Sequence, residues 1–168
     1  MSAVPKQSTS AFDPNQFLDA TVTEVNERRP LLPTENPASP DGFYTAMIGE
    51  VTTETGIIGK GDRIGKPWLS MLVPLTIDVP LQLQDAMKLP KQLRFTDRAF
   101  IDLTDANTID NSPGRNRRQK EYRDALDLNK PGDVFNWRMV QGKPIKVKIN
   151  HELYENQIQE RLGALIKA

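Results

Sequence analysis

Residues Asp110–Gly142 read DNSPGRNRRQKEYRDALDLNKPGDVFNWRMVQG: a turn, a helix start, a basic run, an apolar seam, a stop, then a strand-like alternation. Ser112 is a suitable helix cap, and Pro113 suits the first helical position, where a missing N–H costs nothing. Tyr122, Ala125 and Leu126 recur at helical spacing and give the helix one buried side. Asn129, Pro131 and Gly132 end it. Charge is the odd feature. Arg115, Arg117, Arg118, Lys120 and Arg123 crowd a segment where the macrodipole is already positive, at about 0.3–1 kcal/mol per badly placed charge. Two readings stand side by side. Free N–H groups and guanidinium forks would converge there on a phosphate. Alternatively the run is a solvated face, partly neutralised by Glu121 and Asp124.

The stretches before this helix read as strands. Gly42–Glu54 is rich in β-branched and aromatic residues and is the first. Gly56–Lys66, with Lys60, Arg63 and Lys66, is a glycine-punctuated hairpin connection, since the Lys-Ser/Thr pair that closes a phosphate loop is missing. From Trp68 to Val79, Leu69, Met71, Val73, Leu75, Ile77 and Val79 form one apolar face at period two. Pro74 lies on the other face and suggests an edge or a bulge. Trp68 also lies off the core face, either covering the end of the domain or serving as a stacking platform. Leu81–Leu89 is a short helix between prolines. Lys91–Leu103 is a further strand, with Leu93, Phe95, Ala99, Ile101 and Leu103 inward and Asp97 the exception. Arg94, Thr96, Arg98, Phe100 and Asp102 share its other face. Arginines beside an aromatic on a sheet suit a single-stranded nucleic acid, whose bases stack and whose phosphates pair. Ion pairs with neighbouring strands are the competing explanation.

After the helix, Val134–Val140 alternates with Phe135, Trp137 and Met139 on one face and is predicted to be a strand, Trp137 being core. Ile145–His151 alternates strictly, with Lys146 and Lys148 outward. Residues 157–168 fit either a helix or the return strand of a hairpin through Glu155-Asn156, and the strand is preferred.

Residues 1–42 differ from the rest. They hold six of the 13 prolines, at 5, 14, 30, 33, 37 and 40. Such a segment is an extended arm that docks on the domain or on a partner, or a mobile terminus. A short helical turn is expected after Asp13-Pro14, with Phe17 and Leu18 as its anchor. The division is therefore an arm, 1–42, and a domain, 43–168.

Composition narrows the function. With 22 basic and 22 acidic residues the net charge is zero, so any nucleic-acid site must be a local patch. Cysteine is absent, which removes disulfides and thiolate metal sites. No apolar run approaches the roughly 20 residues of a membrane span, and the first residues lack the pattern of a signal peptide. The expectation is a soluble intracellular protein. The single histidine, His151, is expected to be a surface or hydrogen-bonded residue rather than a metal ligand. Asp102, Asp105 and Asp110 fit turn formation better than a cation loop. No nucleophile–base pairing can be argued, so neither an enzyme, a metal nor a cofactor is expected.

Five strands with the main helix between the third and fourth is the order of an OB-fold barrel, here mainly β and antiparallel. The phrases FDPNQFLDATVTE (12–24), GFYTAMIGEV (42–51), IDNSPGRNRRQKEYRDALDLNKPGDVF (109–135) and MVQGKPIKVKINHE (139–152) resemble a family of small tailed-phage proteins. Members lie near replication or recombination genes and are considered OB-fold single-stranded DNA-binding proteins. The resemblance implies sequence-independent binding of single-stranded DNA in the host cytoplasm, with phage replication proteins or other phage subunits as further partners. Trp68, Arg94, Arg98 and Phe100 would supply a sheet face. Arg115, Arg117, Arg118 and Lys120 would hold phosphates at the helix start, and Lys146 and Lys148 would extend the track. The rival expectation is a virion structural protein, such as a capsid-decorating protein, whose arm contacts neighbouring subunits. It is motivated by the proline-rich arm, the neutral charge and the missing acidic tail. A homo-oligomer is compatible with both.

Overall fold

A computed structural model describes residues 11–168; the first ten residues of the arm, Pro5 among them, lie outside the described residues. The chain forms one six-stranded antiparallel sheet with two α-helices, a mainly β fold. The strands are β1 (Tyr44–Ile48), β2 (Thr52–Ile57), β3 (Pro67–Asp78), β4 (Gln92–Ile101), β5 (Pro144–Tyr154) and β6 (Gln157–Lys167). Helix α1 (Leu81–Met87) joins β3 to β4, and α2 (Arg117–Ala125) lies between β4 and β5. Strand β3 carries β4 on one edge; its other edge is shared by β2 and β1. From β1 the sheet continues through β5 to β6. The sheet is not closed, because no pairing joins β4 to β6 among the described residues. No helix of the described residues is long and apolar enough to cross a membrane.

The expected first strand is in fact two. Residues 49–51 stand opposite only two residues, 73 and 74, so one extra residue bulges out there. Pro74 explains the position. It has no N–H to give a ladder, and its carbonyl accepts from Gly49 N–H at 2.8 Å at the break between β1 and β2. The stretch 134–140 is a correction of another kind. It is no strand: Trp137–Val140 is a single 3-10 turn, capped by Asn136, whose side chain accepts from Arg138 N–H. The return strand 157–167 does form, and Glu155 and Asn156 both take positive φ in the two-residue turn before it. Six strands thus replace five.

The apolar faces fall as the alternation requires. Val73, Leu75, Ile77, Ala99, Ile101, Ile145, Val147 and Ile149 are buried in one core with Tyr122 and Trp137. Helix α2 starts at Arg117, later than Ser112-Pro113 suggests. Ser112 instead closes a turn on the Asp110 carboxylate. Asn116 sits just before α2 at φ 51°, and tertiary bonds hold it there. Its side chain accepts from Asp102 N–H and donates to Asp110 C=O, while its own N–H donates to the Asp102 carboxylate, each at 2.7 Å. These bonds outweigh the cap that the local sequence offers. The helix ends at Ala125 with Leu126 as its C-cap, and Asp127 follows at φ 59°, ahead of the expected Asn129.

The arm is partly built into the body. Leu32 is fully buried, and the Tyr44 hydroxyl donates to Pro33 C=O at 2.7 Å. Arg29 pairs with Glu160 on β6, Leu32 N–H donates to the same carboxylate, and the His151 ring bonds Leu32 C=O. The expected turn is present at Pro14–Phe17, but Phe17 and Leu18 are exposed and anchor nothing on the body. Burial pushes the Tyr44 phenol up to about 12, with help from the charges of Glu160 and Glu35. The folded value lies above the unfolded one, near 10, so this contribution to stability is complete below pH 10 and lost as the pH rises to 12. The stability advantage of the wild type over Tyr44→Phe should therefore shrink across that window in thermal melts.

Candidate nucleic-acid interface

Four of the expected residues lie on the outward face of β3 and β4, and three of them, Trp68, Arg98 and Phe100, meet there. Trp68 and Phe100 face each other with ring centroids 6.3 Å apart and planes inclined by 58°. Phe100 is 60% exposed, far more than core packing would leave. Its place follows from the register, which sets Ser70 opposite Phe100 and Leu72 opposite Arg98. Trp68 stands opposite Gly56 on β2. A Cβ on Gly56 would lie 2.6 Å from the indole Nε1, so only glycine lets the ring lie there. Ser70, between the two aromatics along the ladder, is fully buried and its hydroxyl finds no partner among the described residues.

Arg98 extends this platform and is also ion-paired across the sheet. Its guanidinium lies 5.9 Å from the Phe100 ring and forks onto Glu54 of β2 with two 3.0 Å bonds. Glu54 is a site residue that the sequence gives no reason to single out, since only the β2–β3–β4 register places it beside Arg98. Arg94 lies four positions away on the same face, about 13 Å along the strand, and has no ion pair among the described residues. The β2–β3 hairpin, closed by Ile58 N–H to Lys66 C=O, presents Lys60, Arg63 and Lys66 at the Trp68 end of the sheet. Arg63 and Arg115 share a recess of about 340 Å³ with Asp102, Asp105 and Asp110. That recess links the sheet end to the start of α2.

The basic run on α2 divides. Arg117 is 91% exposed with Glu121 at 3.8 Å, Lys120 points outward beside Asp124, and Arg115 lies 3.7 Å from Asp110. Arg118 is turned inward, where it acts as a structural cation. It approaches β4 from the inward side and donates to the Asp97 carboxylate at 2.8 Å, to Gly163 C=O on β6 at 2.9 Å and to Glu121. Tyr122 O–H also donates to Asp97, at 2.7 Å. Asp97, the charged exception on an apolar face, is thus the counter-ion of Arg118. Burial alone would strip charge from Arg118, but the Asp97 bond and charge outweigh it and raise its pKa above the ordinary arginine value. Burial raises the Tyr122 phenol strongly, and the Asp97 charge adds to it.

Lys146 and Lys148 are each paired with an acid of the arm. They point outward from β5, but the arm covers them. Lys146 binds Asp41 at 2.9 Å and Lys148 binds Glu35. The Lys146 bond holds the Asp41 carboxyl below the usual carboxylate range. Asp102 and Asp110 serve turns and the start of α2, as the turn reading expected.

Beside α2 lies a groove of about 670 Å³ that the sequence did not reveal. Arg115, Lys120 and Arg123 line it, with Phe135 beneath Arg123 at 5.3 Å and Trp137 tied by its indole N–H to Gln119. No protein-family model matches this chain and no curated protein matches it, so the chemistry of the site stands on its own residues.

Proposed function

We propose that the protein binds single-stranded DNA on the outward face of β3 and β4, without sequence preference, as a phage protein acting in replication or recombination in the host cytoplasm. The observation that carries this is the Trp68–Phe100 pair, a half-buried indole against an exposed phenyl ring beside Arg98, on a sheet whose core lies on the other side. Bases of any identity stack on such rings, and arginines and the cationic hairpin take the phosphates. The chain order supports an open relative of the OB barrel. Counting β1 and β2 as one bent strand, the first strand is shared between the second and the fourth, and the main helix falls between the third and fourth. In that fold the face of strands two and three and the first hairpin loop take oligonucleotides. Arg94, Arg98, the hairpin cations and Arg115 form the electrostatic part of the site. Titration of the tryptophan emission with oligo-dT at two salt concentrations tests the reading: quenching that weakens steeply with salt is expected. No quenching at low salt would sink it.

A second reading, a virion structural component, is favoured by one observation: residues 11–27 of the arm are exposed although five of them are large and apolar. Mass spectrometry of purified particles should then find the protein in stoichiometric amount.

A further inference from the structure

Residues 11–27, AFDPNQFLDATVTEVNE, carry Asp13, Asp19, Glu24 and Glu27 and no cation. All of them are exposed. Phe12 and Phe17 touch each other, 5.7 Å between centroids, while Leu18, Val22 and Val25 stand in water at 67–83% exposure. Apolar side chains gathered in one exposed segment mark an interaction site. The acidic groups restrict its partner to a cationic surface. Just beyond the segment the chain is tied down, through Arg28 to Ile158 C=O and Arg29 to Glu160 on β6.

The α2 groove has the complementary chemistry. Arg115 and Lys120 stand at its mouth, more than half exposed, and Phe135 with the edge of Trp137 gives it an aromatic floor. Its two carboxylates are already engaged: Asp110 accepts from Ser112, and Asp133 from Lys130 N–H. We propose that residues 11–27 of one copy lie in the α2 groove of a second copy. The carboxylates meet Arg115 and Lys120, and Phe12 and Phe17 are the buried anchors. The occupant is a second copy because in its own copy the segment stays exposed, clear of the groove. Reciprocal exchange satisfies both arms in one two-fold pair. The proposal goes beyond the DNA reading and does not require it.

Sedimentation of the full chain and two charge-reversed variants tests this. One carries Asp19→Lys with Glu24→Lys, the other Arg115→Glu with Lys120→Glu; all four side chains are exposed, so the fold should survive. The wild type should be a dimer. Either variant alone should associate about tenfold more weakly, and the two together should restore the parent's association. A wild type that stays monomeric at about 0.1 mM overturns the proposal, as does association that ignores both variants. A monomer with its arm cross-linked to its own groove overturns it too. A groove variant that loses oligo-dT affinity while its mass distribution is unchanged also overturns it, and gives the groove to nucleic acid. Arg115 belongs to both surfaces, so the stacking face is tested by Trp68 and Phe100 variants, which leave arm and groove intact, and the two readings can fail independently.

Discussion

Arg118→Met should lower the stability of the folded chain by about 3 kcal/mol, because it leaves the Asp97 carboxylate buried with Tyr122 as its remaining donor. The figure lies at the low end for breaking a buried pair, since both side chains keep a little exposure. At roughly 2–4 °C per kcal/mol for a chain of this size, Tm should fall by about 6–12 °C. Asp97→Leu should cost less, because the guanidinium keeps Glu121 and Gly163 C=O as partners. The triple change Asp97→Leu, Arg118→Met and Tyr122→Phe should lose less than Arg118→Met alone, because no charge is then left without a partner. Calorimetric melts of the three variants decide it. If the single variants melt with the wild type, Arg118 is not the staple described above. The same variants should leave the outward face intact, since Arg118 works from the opposite side of β4.

Trp68→Ala should weaken oligo-dT binding by about 1–3 kcal/mol while leaving the slope of log affinity against log salt nearly unchanged, because stacking releases no counterions. Phe100→Ala should behave in the same way, at little cost to folding, since that ring is mostly in solvent. Gly56→Val should mimic Trp68→Ala, because its side chain would stand where the indole now lies. The charge variants should give the opposite signature. Arg94→Gln with Arg98→Gln should reduce the salt slope by about 1.4, near 0.7 per phosphate contact on a single strand. Tryptophan emission can follow the variants that keep Trp68, with Trp137, buried beside Tyr122, as the invariant background, and the anisotropy of dye-labelled oligo-dT follows Trp68→Ala. Equal salt slopes for all variants would remove the electrostatic part of the site.

Much of the sheet was legible because it has one buried side. Leu69 to Val79 and, apart from Asp97, Leu93 to Ile101 place an apolar residue at every second position, so which side chains face outward could be read before any pairing was known. The same period misleads over 134–140. Phe135, Trp137 and Met139 satisfy it, yet Asn136 caps a helical turn there and Gly142, at φ 72°, follows at once. Arg118 looked like one more member of a solvated run. Two local signs pointed elsewhere: it lies one helical turn before Tyr122, a residue of the buried side, and Asp97 on an inward face needed a cation. Lys146 and Lys148 carried no such sign, because their partners Asp41 and Glu35 lie 105 and 113 residues away in the chain. Gly56 and Glu54 belong to the site only through strand register, which the sequence does not display.

The arm's attachment to β6 has a temporal meaning. Arg28, Arg29 and Leu32 bond to residues 128 to 131 positions later, among the most distant contacts of the fold. On a ribosome these early residues emerge first and find no surface to rest on until β6 has been made. Docking of residues 28–32 is therefore a late event of synthesis, after the core strands have had time to pair. Until then Leu32 and the underside of Tyr44 are open to solvent. A nascent chain stalled before β6 should be cleaved by protease in this segment, and the finished one should resist.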